Sequence, residues 1–269
     1  MSVKFYQPKS SILRKYVEGF YFMNTDGGQP FEYYTFPNNF CIVSVLRNAD
    51  LVISQDEAVL SRSLFSKELC SLTYRYRTPL RVVYKEPVDE ITIYFKPFGI
   101  HQFVKGMERF LTPESSASFD PFPEFRSHLS GIFDIGERTE QICRLEEVLL
   151  GFFEERKDLF LDEILSLLED DVSVEEISRQ LNVSRQYLGQ YFKLKIGKTL
   201  SEYRLTERFR KSLQLMKSGS AHNFTELTYE NLYFDQSHFS KDFKAITNLS
   251  PKEFFRRAQW LDHNVWLIV

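Results

Sequence analysis

Residues 184–193, SRQYLGQYFK, and residues 236–244, QSHFSKDFK, share one design. Each segment has two large apolar residues four positions apart: Leu188 and Phe192 in the first, Phe239 and Phe243 in the second. Residues at positions i and i+4 lie on the same face of an α-helix. Each segment is therefore predicted to be a short helix that buries one face and turns a polar face outward.

A shorter amphipathic segment and a turn precede each of these helices. Residues 173–176, SVEE, have the pattern of a capping box, in which the serine hydroxyl and the glutamate satisfy free backbone amides. Asn182 is a residue type that tolerates a positive φ, and Ser184 is a favoured N-cap. The second copy covers residues 223–232. The pattern predicts two helix-turn-helix units.

The segment between the two units is predicted to be a continuous helix. Thr199 and Glu202 form a second capping-box pattern, and the apolar residues of the following segment recur at helical spacing. A continuous helix would hold the two units at a fixed separation. This suits entry into two successive major grooves, about 34 Å apart on one side of a duplex.

Charge is distributed unevenly along the chain. The whole sequence has a net charge of -3. Residues 178–260 carry 15 Lys or Arg against 7 Asp or Glu, whereas residues 1–177 carry 19 against 29. A basic region attached to an acidic one is what we expect if only one part of the chain meets phosphate.

The C-terminal region resembles the DNA-binding domain of AraC-type transcriptional regulators. The resemblance spans about a hundred residues with both motifs in register, and it is carried by LNVS at 181–184, GKT at 197–199, YRL at 203–205, FDQSHFS at 234–240 and SPKEF at 250–254. It implies an all-α C-terminal domain with two helix-turn-helix units joined by a linker helix, and double-stranded DNA as its partner.

The outward faces and the resemblance together predict the residues that contact DNA. Arg and Lys donate to guanine and Gln pairs with adenine, whereas cations near helix ends are better placed for phosphate. The predicted base contacts are Arg185, Gln186, Gln190, Gln236, Ser237, His238 and Lys241. The predicted phosphate contacts are Ser184, Lys193, Lys195, Lys198 and Lys244.

The N-terminal half has the pattern of a strand-rich domain. Short apolar segments alternate with turn residues over residues 31–36, 40–46, 50–54, 68–77, 80–84 and 91–96, which predicts an antiparallel barrel or sandwich. Residues 36–39, FPNN, and 93–100, IYFKPFGI, are similar to the cupin-like sensor domains attached to many AraC-type regulators. The predicted fold is therefore α+β: a cupin-like antiparallel β-barrel with flanking helices over residues 1–157, and the DNA-binding domain over 158–269.

A barrel of this kind can enclose a pocket for a small-molecule effector. The candidate lining residues are Tyr33, Phe40, Ile42, Tyr74, Tyr84 and Phe95. The alternative is that they form an ordinary aromatic core.

Residues 139–155 form a helix with a wide apolar stripe that includes Ile142, Leu145 and Leu149. Such a stripe can pair with its copy in a homodimer, or it can pack on the sheet of its own chain. Both alternatives stay open at the level of sequence.

The sequence contains few motifs that would indicate an enzyme. The histidines available in the N-terminal half, His101 and His128, are far apart, and no nucleophile elbow, phosphate-binding glycine loop or metal-spaced Cys/His set occurs. We expect no catalytic residues, metal or cofactor. No secretory segment or apolar run of about 18 residues is present, and the three cysteines suit reduced thiols. These features predict a cytoplasmic protein.

The sequence therefore predicts a sequence-specific transcription regulator that responds to an effector through its N-terminal domain, with RNA polymerase as a partner if it activates. One alternative is a constitutive DNA-binding regulator whose N-terminal half only dimerises. Another is a cupin-type enzyme that carries a degenerate DNA module.

Overall fold

The computed structural model describes residues 4–23, 29–54, 56–65, 67–86, 88–111, 123–218, 236–261 and 266–268. Most strands come first along the chain and most helices follow, as predicted for an α+β fold. The strands are β1 (Phe5–Tyr6), β2 (Val17–Met23), β3 (Phe31–Thr35), β4 (Cys41–Arg47), β5 (Ala49–Ile53), β6 (Glu57–Arg62), β7 (Glu68–Thr73), β8 (Leu80–Tyr84), β9 (Asp89–Phe95), β10 (Gln259–Leu261) and β11 (Trp266–Ile268).

The strands form two sheets that face each other. The first sheet has the order β1-β2-β9-β4-β7, and the second has the order β10-β11-β3-β8-β6-β5. Neighbouring strands are antiparallel except for β6 and β8, which pair in parallel. Long-range pairing thus joins β6 to a strand that lies about twenty residues further along the chain.

The first sheet buries both of its faces because alternate residues of a strand point to opposite sides. In β9, Ile91, Ile93 and Phe95 belong to a core shared with helices, whereas Tyr94 belongs to the core between the two sheets. This second core contains the cavity described below.

Helices cover the outer face of the first sheet. They are α1 (Ser11–Tyr16), α2 (Pro123–Ser130) and α3 (Arg138–Phe152), with 3-10 turns at Gly99–Gln102, Met107–Phe110 and Gly131–Asp134. The segment from Gly99 to Phe110 thus contains two short 3-10 turns. Ile142, Leu145 and Leu149 of α3 are buried in the core of the same chain. The apolar stripe thus packs on its own sheet, and it is not available to pair with a second copy.

The remaining helices are α4 (Leu159–Glu169), α5 (Val174–Gln180), α6 (Arg185–Ile196), α7 (Leu200–Ser218), α8 (Gln236–Thr247) and α9 (Pro251–Arg257). They confirm the predicted helices within the described residues. The predicted first helix of the second helix-turn-helix unit, residues 223–232, lies outside the described residues.

The chain returns to the N-terminal half after α9. Strand β11 pairs with β3, with Leu267 opposite Tyr34, so it extends the second sheet. The domain boundary at residues 157 and 158 stays a prediction, and this strand pairing was not anticipated. No helix in the described part of the chain is long and apolar enough to cross a membrane. None of Cys41, Cys70 and Cys143 forms a disulfide bond.

Candidate nucleic-acid interface and effector pocket

The first helix-turn-helix unit is built by local hydrogen bonds that the sequence predicts. The Ser173 hydroxyl accepts from the Glu176 amide at 3.2 Å and opens α5. Asn182 takes a φ of 51° in the turn. The Ser184 hydroxyl then accepts from the Tyr187 amide at 3.1 Å and opens α6. Each cap satisfies an amide that the first helical turn leaves free.

Helices α6 and α8 are each anchored by the predicted pair of apolar residues. Leu188 and Phe192 are fully buried beside α4 and α5, and Phe239 and Phe243 are buried in a separate aromatic core. Burial of a large side chain of this kind contributes about 1.5–3 kcal/mol. The apolar face of each helix is thus fixed, and its opposite face is left to solvent.

The predicted base-contacting residues all lie on these exposed faces. In α6 they are Arg185, Gln186 and Gln190, and in α8 they are Gln236, Ser237, His238 and Lys241. Some of these side chains already have partners in the protein. Arg185 contacts Glu175 at 3.0 Å, and because both side chains are exposed, solvent weakens this ion pair. DNA can displace such a partner at little cost.

The predicted phosphate contacts divide into two groups. Lys193 and Lys244 are exposed, and the Ser184 side chain is exposed while it caps α6. Lys195 and Lys198 differ. The Lys195 ammonium lies 2.9 Å from Glu108 and 3.6 Å from Asp158. Lys198 is only 5 % exposed. In the conformation described here, neither lysine is free to contact a DNA phosphate, because each is engaged by residues of the same chain.

Lys198 contacts a turn of the N-terminal half formed by residues 36–39. We call these four residues the domain-junction turn. The Lys198 ammonium donates to the Asn38 carbonyl and, at 3.3 Å, to the Asn39 side chain. Asn39 in turn donates to the Tyr203 carbonyl at 3.0 Å and to Glu207 at 2.7 Å. The turn is thus held to α7 by several buried hydrogen bonds.

Further contacts hold the same turn against the helices. Arg210 of α7 donates to the Pro37 carbonyl at 2.8 Å and also to the Phe36 carbonyl. The Phe36 ring inserts among Phe209 and Phe254, with ring centroids 6.4 and 5.1 Å away. An aromatic residue of the N-terminal half therefore completes the core around α7, α8 and α9.

The two sheets enclose a cavity of about 260 Å³. Tyr33, Ile42, Tyr74 and Tyr84 line it, as predicted. Phe95 does not, because it lies on the other face of the first sheet and packs against Phe103. Phe40 precedes β4 and lies at a small separate cleft near Lys198. The volume is slightly below that of most ligand pockets, about 300–1,000 Å³.

One wall of the cavity carries a buried carboxyl group that the sequence analysis missed. Glu90 is 3 % exposed, and it accepts hydrogen bonds from Tyr21 at 2.7 Å and from the Tyr84 and Thr92 hydroxyls. Burial, followed by the charge of Glu90, raises the pKa of Tyr21 and Tyr84 well above 10.0. Both hydroxyls therefore remain protonated donors.

Arg75 and Tyr76 line the cavity and also make contacts outside it. Arg75 lies 2.8 Å from Glu202, the capping residue of α7. Burial by itself would raise the pKa of Glu202. The hydrogen bond from the Thr199 amide and the contact with Arg75 outweigh burial and lower the pKa to about 2. The Tyr76 hydroxyl donates to the Phe36 carbonyl at 2.7 Å. Two cavity-lining residues thus contact α7 and the domain-junction turn directly.

The histidines of the N-terminal half have structural surroundings. The His101 ring lies 3.0 Å from the Lys195 carbonyl, and burial lowers its pKa to about 4. The His128 ring packs edge-on against Phe152. Within the described ranges, no three His, Cys, Asp or Glu side chains are placed to hold a metal ion.

One family model and two known regulators match parts of this chain. A family model described as a helix-turn-helix domain matches residues 177–257. An HTH-type transcriptional regulator from Pseudoalteromonas carrageenovora is 30 % identical over 87 residues, which cover 32 % of this chain and 51 % of that protein. The Msm operon regulatory protein of Streptococcus mutans is 26 % identical over 133 residues, covering 46 % of this chain and 48 % of that protein. The chain thus matches about half the length of each relative. The names of both relatives describe them as regulators.

Solved structures of ToxT from Vibrio cholerae align with most of the chain. One covers 88 % of this chain and 95 % of that chain at 16 % identity, with a TM-score of 0.42. A second, bound to an unsaturated fatty acid, covers 87 % and 94 % at 17 % identity, with a TM-score of 0.43.

The family model covers α6 and α8, together with the helix α7 between them and the closing helix α9. The sequence motifs, the caps and the exposed polar faces agree with it. The C-terminal part of the chain therefore contains a helix-turn-helix domain, in agreement with its resemblance to the AraC type.

Proposed function

We propose that the protein is a cytoplasmic, sequence-specific DNA-binding regulator of transcription. The observation that carries this proposal is the pair of helices α6 and α8, each anchored by two buried residues and each turning donors and acceptors outward. Such a face fits the major groove, where each base pair presents its own pattern of hydrogen-bonding groups. The basic charge of residues 178–260 supports attraction to the phosphate backbone.

The assignment of individual contacts is part of this proposal. Arg185, Gln186 and Gln190 read one groove, and Gln236, Ser237, His238 and Lys241 read the next. Lys193 and Lys244 contact phosphate, and Ser184 contributes its hydroxyl at the start of α6. Lys195 and Lys198 join them only in an arrangement that releases their present partners.

The N-terminal half is proposed to bind a small-molecule effector in the cavity between the sheets. The cavity wall is continuous with the contacts to α7, because Arg75 and Tyr76 take part in both. An effector changes DNA binding only if it binds one arrangement of the two parts better than another. The presence of the cavity favours this function over that of a constitutive regulator.

Selection of bound duplexes from a random pool tests the DNA-binding proposal. The wild type is compared with Arg185→Ala and Lys241→Ala, and Lys15→Ala, which removes an exposed charge from α1, serves as the matched control. We expect two half-sites about one helical turn apart. Each DNA-face variant should lose preference in one half-site, by about 1–3 kcal/mol, and the control should keep both.

Recovery of no motif, or of the same motif by all four proteins, would contradict the proposal. Binding that depends on salt but not on Arg185 or Lys241 would indicate a non-specific basic surface.

A further inference from the structure

The cavity between the two sheets has an acidic polar end. The Glu90 carboxyl is buried, and its two oxygens accept hydrogen bonds from Tyr21, Tyr84 and Thr92. Each donor is a hydroxyl that has its own proton to give, and the Thr92 hydroxyl also shares a hydrogen bond of 2.6 Å with the Ser44 hydroxyl. Neither carboxyl oxygen has to act as a donor in this network, which is the pattern of an ionised carboxylate.

This negative charge has no opposite charge in the wall of the cavity beside it. Of the described residues that line the cavity, only Arg75 is basic, and its guanidinium is paired with Glu202 at the rim. A buried ion is costly unless it is paired, and hydroxyl donors stabilise it without neutralising it. A cationic ligand would supply the missing charge. An anionic ligand would place a second negative charge in the same low-dielectric space.

The rest of the wall also suits an organic cation. Six tyrosine side chains line the cavity, together with aliphatic residues such as Ile42, Leu60 and Val82. Tyr33 and Tyr84 stack with ring centroids 6.4 Å apart, and Tyr21 and Tyr94 are tilted at 6.3 Å. The faces of tyrosine rings attract cations, most strongly where water is excluded. The aliphatic residues leave space for a hydrocarbon or aromatic body.

We infer that the effector of this protein is a small organic cation, an amine whose ammonium group pairs with Glu90 and whose apolar body fills the cavity between the sheets. The inference rests on the proposed function, since it assigns a chemical class to the ligand of the proposed sensor domain. The same cavity is lined by Arg75 and Tyr76, which contact α7 and the domain-junction turn.

A charge series of similar shape tests the inference on the full-length protein. The probes are phenylethylammonium, the neutral 2-phenylethanol and the anion 3-phenylpropanoate, with dissociation constants measured by titration calorimetry. We expect the cation to bind at least about tenfold more tightly than the alcohol, and the anion to bind most weakly. This comparison uses the wild type and does not depend on the folding of a variant.

Two variants then locate the charge that is responsible. Glu90→Gln keeps the size of the side chain, so the affinity for phenylethylammonium should fall to that for 2-phenylethanol. Glu147→Gln removes an exposed carboxylate from α3, outside the cavity, and should leave the cation preference unchanged.

Equal binding of the three probes, or a cation preference that survives in Glu90→Gln, would overturn the inference. If the alcohol binds and the cation does not, the cavity is still an effector site and only the ligand class is wrong. If none of the three probes binds, the inference is also wrong. The DNA-binding function is tested separately, by the duplex selection.

Discussion

Lys198 is a predicted phosphate contact whose ammonium is bound within the protein in this structure. Its position after α6 suggested a phosphate contact, but its ammonium is buried against the domain-junction turn. Burial lowers the pKa of Lys198 from 10.5 to about 7. The charged groups around it act in both directions: Cys41, Glu202 and Glu207 raise its pKa, and Arg210 lowers it.

This shift predicts a pH dependence of stability. Between pH 7 and pH 10.5 the unfolded chain holds a proton on Lys198 that the folded protein has released. The free energy of unfolding should therefore rise with pH in this window. We expect the wild type to gain more stability than Lys198→Met between pH 6.5 and pH 9, measured by urea denaturation. Lys193→Met, which removes an exposed lysine, should behave like the wild type; an equal gain in Lys198→Met would contradict the assignment.

Alternation within strands explains which pocket residues the sequence could predict. Tyr33, Ile42, Tyr74 and Tyr84 line the cavity as expected. Phe95 was included although it shares a face with Ile91 and Ile93, which pack against helices. Extending the period of two backwards from Tyr94 reaches Thr92 and Glu90 on the cavity face. Glu90 was missed because the predicted strand began after it and because a carboxylate is rarely expected inside a core.

Helices whose ends are set by near neighbours were the elements best predicted from sequence. The Ser173, Ser184 and Ser250 caps each accept the expected amide hydrogen bond. Strands β6, β10 and β11 were missed. β6 pairs with its neighbour β5 and β10 with its neighbour β11, but β6 and β11 also pair with distant strands. β6 pairs with β8, and β11 pairs with β3 more than two hundred residues away. Local patterns carry no information about such pairings.

The domain-junction turn is the element that joins the two halves, and Phe36 is its apolar anchor. Phe36 is 2 % exposed, between Phe209 and Phe254. Truncation should leave a cavity in the core of the C-terminal part, so Phe36→Ala is expected to lower the free energy of unfolding by about 3–5 kcal/mol. Urea denaturation measures this loss. Phe65→Ala, at a side chain 77 % exposed, should change it by no more than about 0.5 kcal/mol. A loss below about 1 kcal/mol for Phe36→Ala would mean that the ring is not inserted in solution.

At the scale of the whole molecule, the two halves are coupled through one contact region. The cavity, the domain-junction turn and α7 meet at Arg75, Tyr76 and Asn39. The sequence shows that the two halves differ in charge, and this difference is one basis for the separate roles proposed for them. Their contacts could not, because they join residues more than a hundred positions apart.

The same contact region limits how the helices can meet DNA. Helix α7 has 19 residues and a length of about 28 Å at 1.5 Å per residue. It lies between α6 and α8 along the chain, so we expect it to contribute to a fixed spacing of the two proposed DNA-reading faces. A single protein should therefore recognise half-sites at one fixed spacing and on one side of the duplex.

The measurement that tests this account most directly is binding to the selected site with five base pairs inserted between its half-sites. The insertion turns one half-site by about half a helical turn, to the opposite side of the duplex. We predict that the affinity falls to that of a duplex with a single half-site. An affinity unchanged by the insertion would contradict the account, because it would show that α6 and α8 do not read one duplex together.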